Sequence, residues 1–280
     1  MRYISMLAAL GCWVLCSACM PQSRAAEIIF IPSLTENGPD GAPLKLLVTV
    51  HRPEGPGIFP LLVLNHGSTG VPIRWGAATQ RVSAVPVWQF FLERGYAVVE
   101  PMRRGRGGSE GEYSEGIVNG QYVCEREASD RGIARAIEDI HSAVSYFREQ
   151  PWVERRKVIV GGISRGGILS VAYAGRHPDE VLGVVNFVGG WLADLCSLAA
   201  EINSSAFAAA GASYKRPTLW IYGEYDGLYS IAHSRANFDA FRRAGGEGEF
   251  FVFNGGHWVS NRPHAWGPSV DAYLTGLSTR

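Results

Sequence analysis

One stretch, residues 158–167, constrains the fold more than any other part of this 280-residue chain. It begins with the β-branched run Val158-Ile159-Val160, which predicts a buried strand. A glycine-rich turn with Ser164 at its apex follows, and the helical stretch Ile168–Arg176 comes next. A strand that turns sharply into a helix predicts an α/β protein.

The turn carries the pattern G-x-S-x-G, which is typical of a nucleophile elbow. Such a turn is so tight that Ser164 is expected in a strained backbone conformation. Gly162 and Gly166 flank it because side chains there would collide with the neighbouring strand and helix. The backbone N–H of Arg165, at a helix N-terminus, can then point at a developing oxyanion. The alternative is a glycine-rich turn with an incidental serine.

The same alternation of strand and helix continues along the chain. Apolar runs predict about eight strands, at Glu27–Ile31, Leu44–His51, Leu61–Leu64, Ala97–Val99, Val158–Val160, Val184–Phe187, Thr218–Tyr222 and Phe250–Phe253. Periodic patterns predict helices at Pro86–Arg94, at Ser129–Glu149, at Ile168–Arg176 and after Ser230. This order predicts one domain with a mostly parallel sheet and helices on both faces. A ligand site is then expected beyond the carboxyl ends of the strands.

Partners for Ser164 are expected at that same edge. A serine hydroxyl needs a base, and His257 follows the last predicted strand in a glycine-flanked loop. Asp226 follows the preceding strand and can orient the imidazole. Glu224 is a rival acid and His264 a rival histidine. Asp226 could also be only a turn residue, and His257 only a loop histidine bonded to backbone.

A second oxyanion donor is expected from the His66-Gly67-Ser68-Thr69 turn, which follows another predicted strand. We assign the amide of Ser68 to this role, beside the amide of Arg165, with Thr69 as the alternative. His66 itself is expected to shape the turn rather than to catalyse.

Five motifs together resemble the α/β-hydrolase superfamily, and within it the dienelactone-hydrolase-like and prolyl-oligopeptidase-like serine hydrolases. They are H-G-S-T-G at His66–Gly70, R-R-G-R-G-G-S-E-G at Arg103–Gly111, G-I-S-R-G at Gly162–Gly166, G-E-Y-D at Gly223–Asp226 and G-G-H at Gly255–His257. The resemblance covers roughly residue 44 to the C-terminus. It implies an α/β-hydrolase fold and the chain order Ser164, Asp226, His257 for the triad. One departure is Met102, where relatives often carry an Asp.

The predicted function is that of a serine hydrolase that cleaves carboxylic esters through an acyl-enzyme. A peptidase or amidase of the prolyl-oligopeptidase-like type is the alternative, and a non-catalytic binding protein of the same fold is a second one. The reaction requires no metal and no organic cofactor. The expected substrate is a small ester or a short peptide. A formal net charge of +0 does not favour nucleic acid or an anionic membrane surface as a partner.

Walls for a substrate pocket are expected from residues 113–124 and from an alanine-rich cap insertion, Gly189–Tyr214. Trp191 and Leu195 suggest an apolar site, although they could equally form the core of the cap. In the arginine-rich loop, Arg104 and its neighbours could clamp a carboxylate. The alternative for that loop is an exposed, solvated segment.

The N-terminus predicts a signal peptide over residues 1–25, with Arg2 before the apolar stretch Ile4–Cys19 and cleavage near Ala25 or Ala26. Cleavage would leave a domain over residues 26–280 with a net charge of about −2. The expected location is the periplasm or the extracellular medium. An uncleaved anchor is one alternative, and a lipoprotein modified at Cys19 is another.

Three of the five cysteines lie in this leader, which leaves Cys124 and Cys196. An even number of cysteines in an exported protein suggests a disulfide between them. Two buried free thiols are the alternative.

Overall fold

A computed structural model describes residues 25–68 and 80–278. All eight predicted strands are present, each of them longer than expected, and a short hairpin is added. In chain order the strands are β1 (Glu27–Asn37), β2 (Pro43–His51), β3 (Phe59–Asn65), β4 (Ala97–Pro101), β5 (Ile117–Val118), β6 (Gln121–Tyr122), β7 (Val153–Ile163), β8 (Gly183–Phe187), β9 (Pro217–Gly223) and β10 (Glu247–Phe253).

The helices of the described residues include the four that were predicted. They are α1 (Val85–Leu92), α2 (Arg126–Arg148), α3 (Arg165–Arg176), α4 (Ala199–Ser213), α5 (Ile231–Arg243) and α6 (Pro263–Ser278), with a 3₁₀ turn at Val259–Asn261. Ser230 caps α5 as expected, since its hydroxyl accepts a hydrogen bond from the His233 amide at 3.3 Å.

The described strands other than β5 and β6 form one eight-stranded sheet in the order β1-β2-β4-β3-β7-β8-β9-β10. β2 runs antiparallel to both of its neighbours, and the remaining pairs are parallel. The parallel strands are covered on both sides, which is why they read as continuous apolar runs. Val158, Ile159 and Val160, at the centre, are fully buried. The predicted α/β-hydrolase sheet is therefore confirmed.

Helices cover both faces of this sheet. α1 and α6 pack together, whereas α2, α3, α4 and α5 contact one another in succession. Most of the segment predicted as a cap, residues 189–214, is α4, the crossover helix between parallel strands β8 and β9. Only the loop before α4 lies over the carboxyl edge of the sheet. The small hairpin β5–β6, whose strands have two residues each, is too short to be predicted from sequence periodicity.

Candidate active site

The nucleophile elbow has the geometry that its glycines predict. Ser164 has φ 56° and ψ −122°, and α3 begins at the next residue. A side chain at Gly162 would overlap the carbonyl oxygen of Gly166, and one at Gly166 would overlap that of Asn65. The strained conformation is therefore imposed by backbone packing, and it holds the serine at the start of a helix.

Asp226 and His257 are brought together as expected. The His257 Nδ1 lies 2.8 Å from the Asp226 Oδ2. The other carboxylate oxygen accepts hydrogen bonds from the amides of Leu228 and Tyr229, at 2.8 and 3.1 Å. An imidazole that donates from Nδ1 to a carboxylate presents Nε2 as its basic nitrogen. The fixed carboxylate thus sets the tautomer that a general base requires.

The two rival residues lie elsewhere. Glu224 is exposed and does not line the cavity that holds His257. His264 is exposed in the first turn of α6 and does not line that cavity.

The turn after β3 runs directly over the elbow. A Cβ on Gly67 would lie 3.2 Å from that of Ser164. The His66 Nδ1–H donates to the Gly67 carbonyl at 2.7 Å, while Nε2 accepts from the amide of Arg103 at 3.2 Å. Burial, reinforced by the positive charge of Arg103, lowers the pKa of His66 to about 3, which keeps the ring neutral for both roles.

This hydrogen bond also fixes the direction of the Ser68 amide. The Gly67–Ser68 peptide is trans, so its N–H points opposite to its C=O. Because the carbonyl is turned towards the His66 ring, the N–H of Ser68 is turned away from it. Ser68 lines the same cavity as Ser164 and Arg165. Thr69, the alternative donor, lies outside the described residues.

Buried charges hold this turn in place. The guanidinium of Arg103 donates to the carbonyls of His66 and Gly67 at 2.8 and 3.4 Å. It also forms a two-point ion pair with Glu115, and both side chains are almost fully buried. Burial raises the pKa of Glu115, but the charges of Arg103 and Arg165 outweigh it and lower that pKa to about 2. The carboxylate therefore stays ionised.

The side chain of Arg165 points back into the protein. It donates to the carbonyls of Glu115 at 2.8 Å and Trp191 at 3.1 Å, and its guanidinium lies 4.1 Å from the Trp191 ring. Arg165, whose amide is a predicted oxyanion donor, thus also binds through its side chain to both segments expected to form the pocket walls, at Glu115 and at Trp191.

Both expectations for the arginine-rich loop, a carboxylate clamp and an exposed, solvated segment, were wrong for its arginines. Its arginine side chains are neither solvated nor available to clamp a substrate, because Arg103, Arg104 and Arg106 are all buried. The Arg104 guanidinium pairs with Glu36, Glu138 and Asp139, away from the cavity. Arg106 lies over the ring of Tyr113 at 3.7 Å. The buried charges of Arg103 and Arg104 are therefore paired, as buried charges in proteins must be.

Ser164 and His257 line a cavity of about 640 Å³ whose surface is mostly apolar. Of the three predicted pocket residues, Trp191 lines it. Leu195 does not, since it is 96% exposed, and Arg104 is buried elsewhere. Leu195 lies in the loop before α4, and its side chain points to solvent rather than to the site.

The sequence reasoning missed Tyr229, Trp258 and Glu100, which line this cavity, whereas Tyr122 belongs to the segment 113–124 that was expected to form a wall. The hydroxyl of Tyr229 donates to the Gly190 carbonyl at 2.8 Å. Burial raises its pKa to about 12, against the opposing effects of Arg165 and of a hydrogen bond with Ser164. The sequence offered one signal for Tyr229, which is its position three residues after the predicted triad acid, Asp226. No sequence pattern gives the direction of its side chain.

Cys124 and Cys196 form a disulfide, with their Cα atoms 5.6 Å apart. It joins the end of the β5–β6 hairpin to the loop before α4, and so connects the two walls of the cavity. The predicted pairing is present, and the alternative of two free thiols is not.

One group of side chains could offer ligands to a metal ion. Ligand atoms of His141, His177 and Glu180 lie within 4.8 Å of one another. The two imidazoles are stacked, however, and Glu180 accepts a hydrogen bond from Tyr173 at 2.6 Å. His177 of this group lies at the far end of α3, about 20 Å from Ser164 at 1.5 Å per residue. The group has no part in the site, and the expectation of a metal-free reaction stays a prediction.

Within residues 25–68 and 80–278, no helix is long and apolar enough to span a bilayer. The predicted signal peptide and Cys19 lie outside the described residues.

Comparison with known proteins places the fold among the α/β-hydrolases. An esterase of Pyrococcus furiosus superimposes with a TM-score of 0.61 at 17% identity, over 90% of each chain. Est1E of Butyrivibrio proteoclasticus, solved with ferulic acid bound, gives 0.63 at 16% identity, over 90% of this chain and 100% of that one. An acylaminoacyl peptidase of Pyrococcus horikoshii gives 0.60 at 18%, over 86% and 39%. At these identities the likeness concerns the fold.

The sequence goes one step further. The chain belongs to the X-Pro dipeptidyl-peptidase (S15) family, whose profile matches residues 40–193. It is also 29% identical over 133 residues to a protein of Oryza sativa subsp. japonica named "Probable inactive carboxylesterase". These 133 residues are 47% of this chain and 49% of that protein. The match therefore spans about half the length of this curated relative. The family confirms the predicted superfamily and agrees with the predicted enzyme class.

Proposed function

We propose that this chain is a serine hydrolase that cleaves carboxylic esters through an acyl-enzyme. The observation that carries the proposal is the Asp226–His257 pair in one cavity with a Ser164 held in a strained elbow. A buried, doubly anchored carboxylate behind an imidazole is the arrangement that activates a serine.

In the proposed reaction, Ser164 Oγ attacks the acyl carbon and His257 Nε2 takes the hydroxyl proton. His257 then returns this proton to the leaving alcohol. The amides of Ser68 and Arg165 stabilise the oxyanion, a role in which one donor typically contributes about 10²–10³ in rate. Water attacks the acyl-enzyme in the second half, with His257 again as base.

Fluorophosphonate labelling of purified protein tests this proposal, together with hydrolysis of p-nitrophenyl esters. We expect Ser164→Ala to abolish labelling and to lower kcat by at least about 10⁴-fold. Ser213→Ala, at an exposed serine at the end of α4, is the matched control and should leave both unchanged. Labelling that persists in Ser164→Ala would refute the assignment. Well-folded wild type that is never labelled would favour a non-catalytic binding protein.

Family membership favours a second candidate, a peptidase or amidase. A matched pair of substrates, an ester and an amide with the same acyl group, separates the two. We expect the ratio of kcat/KM for the ester to kcat/KM for the amide to exceed the intrinsic ratio, which is the ratio of the uncatalysed hydrolysis rates of the two bonds in water. A ratio below that intrinsic one would make amide hydrolysis the function.

We further propose that the chain is exported as a single domain over residues 26–280. A disulfide between exposed and half-exposed cysteines supports an oxidising compartment. Mass spectrometry of the protein from cells should give a chain that starts at Ala25, Ala26 or Glu27. A lipidated N-terminus at Cys19, absent in Cys19→Ser, would show the lipoprotein alternative instead.

A further inference from the structure

The cavity around Ser164 has two chemically different ends. Trp191, Leu192 and Leu228 form an apolar end beside the loop that precedes α4. The other end is bordered by Ser83, Glu100 and Ser260, and it lies near the start of α1. Neither the triad nor the proposed oxyanion hole makes use of these polar residues.

Glu100 is a buried carboxylate at the carboxyl end of β4, 5% exposed. Its Oε1 accepts a hydrogen bond from the amide of Ala84 at 2.8 Å. Its Oε2 accepts from the Ser83 hydroxyl at 2.8 Å and lies 3.0 Å from the His51 Nε2. A carboxylate offers about four acceptor positions. Among the described residues, three donors reach it, so one position on Oε1 is left for a further donor.

Ser260 supplies a second, independent indication at the same end. Its side chain is 1% exposed, and its hydroxyl has no hydrogen-bond partner among the described residues. The turn that carries it, Val259–Asn261, packs against α1, the helix that follows Ala84. A buried hydroxyl without a partner is unfavourable, and such groups in binding cavities are commonly satisfied by a ligand or by water.

We propose that Glu100 and Ser260 form a subsite for a hydrogen-bond-donating group of the substrate, either a hydroxyl or an ammonium. The proposal rests on the proposed function, since it assigns the far end of the substrate that Ser164 attacks. A donor there would fill the remaining acceptor position of Glu100 and pair with the Ser260 hydroxyl. An analogue without a donor would leave the remaining acceptor position of Glu100 and the Ser260 hydroxyl without a partner, and buried polar groups left without partners are a strong basis for discrimination between similar substrates.

Three p-nitrophenyl esters with one acyl skeleton test the subsite. The three differ only at the far end of the acyl group, which is an aryl ring. This ring is unsubstituted in the first ester, carries a hydroxyl in the second and carries an ammonium in the third. We expect wild-type kcat/KM to favour a donor-bearing ester by about 10- to 100-fold over the unsubstituted one. Glu100→Gln should reduce this ratio to about threefold or less, and a larger fall for one ester than for the other identifies the group that is recognised.

Glu112→Gln is the matched control, because Glu112 is exposed and lies outside the cavity. Should Glu100→Gln fail to fold, Ser260→Ala carries the test, since it removes one oxygen and adds no volume. We expect that variant to lower the ratio several-fold. A wild type with no preference, or an unchanged ratio in the folded variants, would overturn the subsite.

Binding measurements separate this outcome from failure of the proposed function. The corresponding methyl ketones cannot be hydrolysed, and fluorescence of Trp191 and Trp258 in the cavity wall can report their binding. Tighter binding of the donor-bearing ketone without any fluorophosphonate labelling would retain the subsite and reject the hydrolase. Labelling without any ketone preference would do the opposite.

Discussion

The two backbone segments that we propose as oxyanion donors are held in place by different physical means. The elbow around Ser164 is fixed by backbone packed against backbone, with glycines where no side chain fits. The turn at His66–Ser68 is fixed by a neutral buried imidazole and by the Arg103–Glu115 ion pair. Packing tolerates no added atoms but is insensitive to pH, whereas a charge network depends on the protonation of its members. The two segments should therefore fail under different perturbations.

The largest effect is expected at Gly166. An alanine there would place its Cβ against the carbonyl oxygen of Asn65, where neither backbone can move without breaking the sheet. We expect Gly166→Ala to cost more than about 4 kcal/mol in the free energy of unfolding, or to prevent folding. Gly276→Ala in α6 is the control, since its Cβ would meet nothing within 4 Å, and it should stabilise by about 0.5–1 kcal/mol. Urea unfolding of both variants measures this contrast.

The next effect is expected from the charge network. Arg103→Met removes the two-point ion pair of the buried Glu115 and leaves it only Arg165, 3.9 Å away, and the Tyr113 hydroxyl at 3.1 Å. Removing one partner of a buried pair should cost about 3–5 kcal/mol. The double variant with Glu115→Leu should recover much of this loss in stability. It should not recover kcat, because the His66 carbonyl still lacks the Arg103 donor that holds the turn.

The control for this pair is Arg131→Met, since Arg131 and its partner Glu127 are 62% and 85% exposed. An exposed pair contributes only about 0–1 kcal/mol. Urea unfolding and ester kinetics of the three variants test the network. Equal losses for Arg103→Met and Arg131→Met would show that the buried pair does not hold the turn.

His66 should give the protein a pH-dependent stability. Its folded pKa of about 3 lies below its ordinary value of 6.5, so the unfolded chain binds the proton more tightly. The contribution is therefore fully present above pH 6.5 and is lost as the pH falls towards 3. The slope from this group is about 1.4 kcal/mol per pH unit.

Comparison of unfolding at pH 7 and pH 5 measures that slope. We expect His66→Asn to lower the difference between the two values, while His264→Asn, at an exposed histidine, leaves it unchanged. An identical pH dependence in wild type and His66→Asn would mean that other groups dominate acid unfolding.

The smallest loss of stability is expected where the two segments meet. A Cβ on Gly67 would lie 3.1 Å from the Ile163 carbonyl oxygen and 3.2 Å from the Ser164 Cβ, so small shifts could accommodate it. We expect Gly67→Ala to cost about 1 kcal/mol in stability. Ester hydrolysis should fall much further, by about tenfold or more, because the shift displaces the nucleophile or the Ser68 amide. Parallel losses in stability and rate would argue against a positioning contact.

Much of the fold could be predicted because its signals are local. The strands of a sheet covered on both faces are continuous apolar runs, as at Val158–Val160, and the glycines of the elbow report a turn without space for side chains. The order of strands and helices then gives the sheet and its carboxyl edge. Ser164 was proposed from the G-x-S-x-G pattern, and Asp226 and His257 from their places at that edge and from the triad order of the family resemblance. The structure brings Asp226 and His257 into contact.

The predictions that went wrong concern side-chain direction. Arg104 and Leu195 lie in segments that border the site, yet one is buried in a separate ion-pair cluster and the other points to solvent. Glu100 and Tyr229 were missed for the same reason. A loop has no periodicity that fixes which way each residue faces, so its sequence gives the neighbourhood but not the contact.

By itself, then, the sequence determined the order of the elements, the elbow and the edge at which the candidate triad lies, because backbone sterics and hydrophobic periodicity act over a few residues. Only the tertiary structure decided which charges are buried as pairs. Arg103 and Glu115 become an ion pair, and Glu100 comes within hydrogen-bond distance of His51, through the packing of distant segments. The free energy of a buried charge depends on everything around it, and no short stretch of chain contains that information.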